Sequence, residues 1–151
     1  MRDLGYRAVL DAFQRFPRFS RAGSTAFGSV PPARVFVIGA GVAGLSAIAT
    51  AHALGCQVLA NDVRGAAREQ VESMGARFVA VDAEGLAGEG QGGYARAMGE
   101  DFMAKQLATY KRVVPDVDVI ITTAMIPNRK APELITAEMV APWISMLFKA
   151  F

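Results

Sequence analysis

Three glycines and one acid are the residues of this chain best suited to chemistry. Gly39, Gly41 and Gly44 stand at G-x-G-x-x-G spacing, and Asp62 follows eighteen residues after the last of them. Together they suit a dinucleotide. Gly39 permits a tight turn, Gly41 has no Cβ to hold the backbone away from a pyrophosphate, and Gly44 lets a helix lie close on a sheet. The phosphates would rest on the free N–H groups of the helix start, where the helix dipole favours negative charge. Val42 and Ala43 therefore join the glycines as candidate cofactor-binding residues. Asp62 would accept hydrogen bonds from an adenosine ribose, with Val63 and Arg64 beside it. The competing reading is an aspartate that caps the next helix. A glycine turn and a second strand before it favour the ribose. An arginine near this strand end can take a 2′-phosphate, which Asp62 would repel, so the pair reads as selecting NAD over NADP.

These residues need a strand, a turn and a helix to position them. Val35 to Ile38 is short, apolar and β-branched, as a parallel strand covered on both faces should be. Val42 to Leu54 reads as a helix of small apolar residues that Gly55 stops. Gln57 to Ala60 is a second strand, ended by Asn61 and Asp62. Ala66 to Met74 is a helix stopped by Gly75, and Arg77 to Val81 is a third strand. The helix end, glycine and strand at 54–59 recur in plan at 74–79, as successive βα units of a parallel sheet require. Gly85 to Gly99 is a glycine-rich loop that holds Tyr94 and Met98. It reads equally as a lid whose tyrosine stacks on a ligand or as a mobile insert. Glu100 to Arg112 is a helix and Val117 to Thr123 a fourth buried strand. Ligands of open parallel sheets bind at the carboxyl ends of strands, so the turn from Ala124 to Pro127 should border the same crevice. Pro132 to Val140 begins another helix, with Thr136 as a candidate cap.

Before the first strand, Met1 to Phe19 reads as a helix with Leu4, Ala8, Ala12 and Phe16 on one apolar face, joined by Val9 and Phe13. Its arginines admit a transit-peptide reading, but a packing helix with a solvated basic face is preferred. Gly23 to Pro32 reads as a loop. Composition sets the class: 151 residues suit one domain, and 52% hydrophobic against 20% charged residues excludes disorder. A net charge of +2 offers no argument for nucleic acid. The single cysteine, Cys56, excludes a disulfide framework and reads as a small buried hydrophobe. His52 reads as surface or packing rather than as a metal ligand. No apolar run approaches the ~20 residues of a membrane span.

Six segments then agree with one family. Gly5-Tyr6-Arg7-Ala8-Val9, Val30-Pro31-Pro32-Ala33, Gly39-Ala40-Gly41-Val42-Ala43-Gly44, Glu69 to Gly75, Gly90-Gln91-Gly92-Gly93-Tyr94-Ala95 and Thr122 to Pro127 occur in that order. Together they resemble the NAD(H)-binding domain of proton-translocating NAD(P) transhydrogenase, alpha-subunit type, from Gly5 to about Val140. Alanine dehydrogenase has a similar nucleotide domain, but the Gly-Gly-Tyr loop favours transhydrogenase.

The resemblance implies an α/β fold. Its core would be a Rossmann-like parallel sheet, incomplete at about four strands and preceded by an N-terminal helix. Residues 1–30 would be helix and linker from a preceding domain, 31–140 the NAD(H)-binding domain, and 141–151 a tail that does not match. It implies NAD(H) as cofactor and hydride transfer to NADP(H) on a separate partner domain. A membrane domain would couple that transfer to proton movement, in a dimeric protein on the soluble face of a bacterial inner membrane or the matrix side of the mitochondrial one. By matched motif, Gly39, Gly41 and Gly44 would support the pyrophosphate, Asp62 the ribose, and Tyr94 the mobile lid. Thr123, Ala124 and Met125 would line the pocket. No residue is expected to be catalytic. The family's preceding domain, with an Arg-Gln-Asp loop that positions the nicotinamide, is not found before Gly5. The sequence thus reads as a fragment, expected not to catalyse transfer alone. A non-catalytic NAD-binding module or remnant is the alternative, and an alanine-dehydrogenase-like oxidoreductase a third.

Overall fold

The computed structural model describes residues 2–26, 28–81, 100–123 and 133–149. Two compact units form: residues 1–80 with 117–124, and residues 81–116 with 125–151.

The first unit is built around β3 (Arg34–Ile38). Val35, Phe36, Val37 and Ile38 are at most 2% exposed, so this strand is covered on both faces, as its unbroken apolar run demands. Parallel β4 (Gln57–Asn61) flanks it on one side and parallel β6 (Val119–Thr122) on the other, while β5 (Arg77–Phe78) adds to β4. The sheet order is therefore β5-β4-β3-β6. The first three strands spread to one side and the last returns to the other, which puts a topological switch point between β3 and β6. The α/β, Rossmann-like expectation is met, with the helix α1 (Arg2–Arg15) ahead of the sheet.

Between β3 and β4 runs α2 (Val42–Ala53). It is apolar nearly all round because it is covered by more than the sheet: α1 also packs on it. The crossing is close at Gly5, where a Cβ would stand 1.9 Å from the carbonyl oxygen of Ala43. Gly55 ends α2 with φ +82°, a left-handed stop. The α3 helix (Ala67–Ser73) leads to Gly75 at φ +81°, and a Cβ there would meet the ring of His52 at 2.5 Å. His52 is thus an exposed residue whose ring lies over Gly75. Cys56 is buried in the core, as expected.

Several boundaries differ from the sequence reading. In α1 the helix stops at Arg15, two residues before Pro17, and not at Phe19. Of the expected apolar face only Leu4 departs, at 67% exposed; Val9 is buried, Ala8, Ala12, Phe13 and Phe16 pack against the core, and Gly5 joins them as a buried residue. The segment read as a loop from Gly23 contains a small antiparallel hairpin, β1 (Gly23–Thr25) with β2 (Gly28–Val30). The third sheet strand stops at Phe78. Val79 still donates to the Ala60 carbonyl, but its own carbonyl accepts from the Asn61 side chain, which ends the ladder.

In the second unit, α4 (Glu100–Val113) runs into a 3-10 turn (Val114–Asp116), and α5 (Ala137–Lys149) accepts no side-chain cap from Thr136. The Thr136 hydroxyl is buried without a hydrogen-bond partner, and its carbonyl instead accepts from Met139 N–H. That α5 starts at Ala137, not near Pro132, and continues through Pro142. The Trp143 indole N–H donates to the Val114 carbonyl at 3.2 Å, tying α5 to the 3-10 turn.

Candidate functional site

The carboxyl ends of β3, β4 and β6 bring most of the predicted residues together. At the end of β3 the chain turns through Gly39, whose φ of +98° is left-handed and suits only glycine. Gly39 N–H donates to the Asn61 carbonyl at 2.8 Å, so the turn is fastened to the end of β4. On the other side Thr123 N–H donates to the Ile38 carbonyl at 2.8 Å, and its hydroxyl donates to the Gly39 carbonyl at 3.0 Å. Thr123 is thus a clamp across the switch point, its hydroxyl directed at the glycine turn.

The other two glycines have opposite surroundings. A Cβ on Gly44 would stand 1.8 Å from the Gly39 carbonyl oxygen and 2.9 Å from Thr123 Oγ1. Here the missing side chain lets α2 begin hard against the turn. A Cβ on Gly41 would meet nothing within 4 Å. Gly41 is the N-cap of α2, at φ −74° and ψ −171°, and no side chain caps the helix. The first turn contains no acid, and Val42 is 55% exposed. The N–H groups from Val42 to Gly44 precede the first intrahelical bond, which Leu45 makes to Gly41 at 2.8 Å. This is an open positive helix end, fronted by a residue without a side chain, and it fits an anionic group.

Asp62 stands beside that turn. Its Oδ2 accepts from Ala40 N–H at 2.7 Å and from Arg64 Nη2 at 3.1 Å. Its Oδ1 accepts from Arg64 N–H at 2.8 Å and Arg64 Nε at 3.0 Å. The side chain is only 7% exposed. Burial pushes the carboxyl pKa up, but the Arg64 side chain, the Ala40 and Arg64 amides and the arginine's charge together hold it below its ordinary value. The helix-cap alternative does not hold: α3 has Ala66 as its N-cap, with no side-chain cap. Val63 lies between the paired residues and is half-buried. Tyr94, Ala124 and Met125, and the loop from Gly85 to Gly99, lie outside the described residues.

Sequence reasoning missed three contacts: Gly5 on Ala43, the Ala40 amide on Asp62, and the Thr123 hydroxyl on Gly39. Only the first left a signal, a glycine one turn before Val9 opposite an alanine-rich helix. Among the described residues, no group of three or more His, Cys, Asp or Glu could hold a metal.

A parallel βαβ sheet with a glycine turn at its switch point, an uncapped helix start and an acid at the next strand end defines a dinucleotide-binding type of Rossmann domain. The sequence profile described as "Alanine dehydrogenase/PNT, C-terminal domain" matches residues 8–144, and the chain belongs to that family. It is 53% identical over 137 residues to an NAD(P) transhydrogenase subunit alpha chain of Rhodospirillum rubrum, covering 90% of this chain and 36% of that protein. With NAD(P) transhydrogenase subunit alpha of Cereibacter sphaeroides it is 51% identical over 138 residues, 91% of this chain and 26% of that one. The crystal structure of transhydrogenase from Sinorhizobium meliloti superposes with a TM-score of 0.76 at 45% identity, over 92% of this chain and 36% of that one. The chain thus spans about a third or less of the length of these relatives. An L-alanine dehydrogenase shares the fold, with a TM-score of 0.61 at 22% identity.

Proposed function

We propose that this chain is the NAD(H)-binding portion of a proton-translocating NAD(P) transhydrogenase. One observation supports the reading most. The open helix start behind Gly41 and the buried carboxylate of Asp62 meet at one sheet edge, in a chain half identical to named transhydrogenase alpha subunits. The N–H groups of Val42, Ala43 and Gly44 hold the pyrophosphate, supported by the turn that Gly39 and Gly41 shape. Asp62 takes the adenosine ribose, with Val63 and Arg64 beside it. By the sequence resemblance, Thr123, Ala124 and Met125 would line the pocket and Tyr94 would belong to the mobile lid; the last three lie outside the described residues. The bound nicotinamide supplies the hydride chemistry. The residues of this chain bind, orient and select, and none takes a proton in the transfer.

In this reading the acceptor is NADP(H) on a separate domain, and a membrane domain uses the transfer to move protons. The complete protein is a membrane-associated complex, dimeric, with this domain on the soluble face of a bacterial inner membrane or the matrix side of the mitochondrial one. No described helix is long and apolar enough to cross a membrane.

The test has two stages. Purified chain is titrated with NADH while nucleotide fluorescence is followed, and saturable one-to-one binding is expected. The loaded chain is then mixed with a transhydrogenase NADP(H)-binding domain and an NADP analogue. A folded chain that binds no NADH refutes the reading. Binding without transfer in the mixture replaces it with a non-catalytic nucleotide-binding module.

A further inference from the structure

Thr123 carries two donors, and both are spent on the crossing from β3 to α2. Its N–H donates to the Ile38 carbonyl at 2.8 Å, one step beyond the pairing of Thr122 with Ile38. Its hydroxyl has one proton and two carbonyls in reach, Gly39 at 3.0 Å and Ile38 at 3.3 Å. The shorter distance, and the amide already on Ile38, assign the proton to Gly39. The Gly39 carbonyl lies against the helix start: a Cβ on Gly44 would stand 1.8 Å from its oxygen and 2.9 Å from Thr123 Oγ1. A bare carbonyl oxygen in that place would work against an anion in two ways. Its negative end would oppose the charge, and as a strong acceptor it would compete for the N–H groups of Val42 to Gly44. The hydroxyl proton answers both.

We propose that Thr123 is a positioning residue of the dinucleotide site, acting on the glycine turn and not on the ligand: its hydroxyl occupies the Gly39 carbonyl, holds the left-handed turn against the end of β6, and so leaves the first amides of α2 to a pyrophosphate. This rests on reading the sheet edge as a dinucleotide site. Gly39 is fastened on two sides by different partners. Its N–H donates to the Asn61 carbonyl at the end of β4, and its carbonyl accepts from Thr123. The first bond is main chain to main chain and survives any substitution at 123. The second depends on one side chain. With its single proton given to the main chain, the Thr123 hydroxyl keeps no donor for a ligand, and a phosphate, which brings only acceptors, gains nothing from it directly. Its effect on phosphate binding therefore passes through the turn.

The test uses the full chain with Thr123→Val, which keeps the shape and removes the hydroxyl, and Thr123→Ser, which keeps the hydroxyl. Thr123→Ala is run alongside and takes the place of the valine variant if that one folds poorly. Dissociation constants are measured for NADH and for adenosine, which has no phosphate. Thr123→Val should bind NADH at least about fivefold more weakly than the native chain, the worth of one neutral hydrogen bond. It should bind adenosine within about twofold of native, and Thr123→Ser should bring NADH binding back to within about twofold. Hydrogen exchange of the unliganded chain reads the turn itself. The Gly39 and Leu45 amides, bonded to the Asn61 and Gly41 carbonyls, should exchange at least about fivefold faster in Thr123→Val, while amides inside β4 change less. A folded valine variant that binds NADH like the native chain overturns the proposal. So does a serine variant as weak as the valine one, or a loss that adenosine shares equally. Failure of the native chain to bind NADH refutes the functional reading instead. Exchange at Gly39 and Leu45 then still decides the clamp, and unchanged exchange there overturns it.

Discussion

Replacing Gly44 and Gly41 by alanine, one at a time, should separate the structural glycine from the ligand-facing one. At Gly44 the new methyl would lie 1.8 Å from the Gly39 carbonyl oxygen and 2.8 Å from its carbon, where ordinary contact begins at 3.4 Å. The obstacle is backbone at the left-handed turn, so α2 must retreat by roughly 1.5 Å or the turn must open. Overpacking of this kind costs about 1–3 kcal/mol, and a backbone obstacle places it at the upper end. Losing the bond from Thr123 to Gly39 adds about 1 kcal/mol. The better helix propensity of alanine returns about 0.5–1 kcal/mol. A net loss of about 3 kcal/mol should lower the melting temperature by roughly 6–12 °C in a chain of this size. At Gly41 the methyl meets nothing within 4 Å, and φ −74° with ψ −171° is open to alanine. Only the loss of an N-cap glycine counts there, at most about 1 kcal/mol. NADH affinity should nevertheless fall more than about tenfold in Gly41→Ala, because the methyl fills the space in front of the helix start. Denaturant melts and NADH titrations of both variants check this. The reasoning is refuted if Gly44→Ala melts like the native chain, or if Gly41→Ala destabilises as much as Gly44→Ala while binding NADH normally.

Asp62→Asn should cost about 1–3 kcal/mol at neutral pH. The folded pKa of Asp62 is depressed, so the native advantage is complete above the unfolded value near 3.8 and fades as pH falls through the lower folded value. Urea melts at stepped pH should therefore converge for the two proteins in acid, and a constant gap would contradict the assignment. Gly5→Ala should detach α1 from α2, since its methyl would meet the Ala43 carbonyl at 1.9 Å. Hydrogen exchange should show lost protection along α1, with the sheet amides less affected. Burial, and secondarily the charge of Asp118, push the Cys56 thiol up to about 11. A thiol reagent at about pH 8 should leave the native protein unlabelled and label it on unfolding; rapid native labelling would contradict its buried place.

How much of this is legible in the sequence depends on the range of the interaction. Val35 to Ile38, the glycine spacing and the stops at Gly55 and Gly75 are local statements, because period, φ and the absence of a Cβ are written into neighbouring residues. The sheet followed from them, since helices between parallel strands leave few topologies. The missed features depend on which donor lies nearest across the sheet. Nothing in the sequence around Asp62 says that Ala40 N–H, twenty-two residues earlier, will reach its Oδ2. Nor does Thr123 announce a bond to Gly39, eighty-four residues away. The third strand shows the same limit from the other side. Val79 to Val81 have a strand's composition, yet the Asn61 amide takes the Val79 carbonyl and the ladder stops. Sequence thus identified the residue types a dinucleotide edge needs, while saturation of the acid is a property of the folded turns. That saturation changes what Asp62 is. Read alone it is an acceptor waiting for a ribose; in the fold it is an acceptor already filled. A ribose that is to reach this carboxylate, as the proposed function requires, has to take the place of a donor already there, and the Arg64 side chain is 38% exposed against 7% for Asp62.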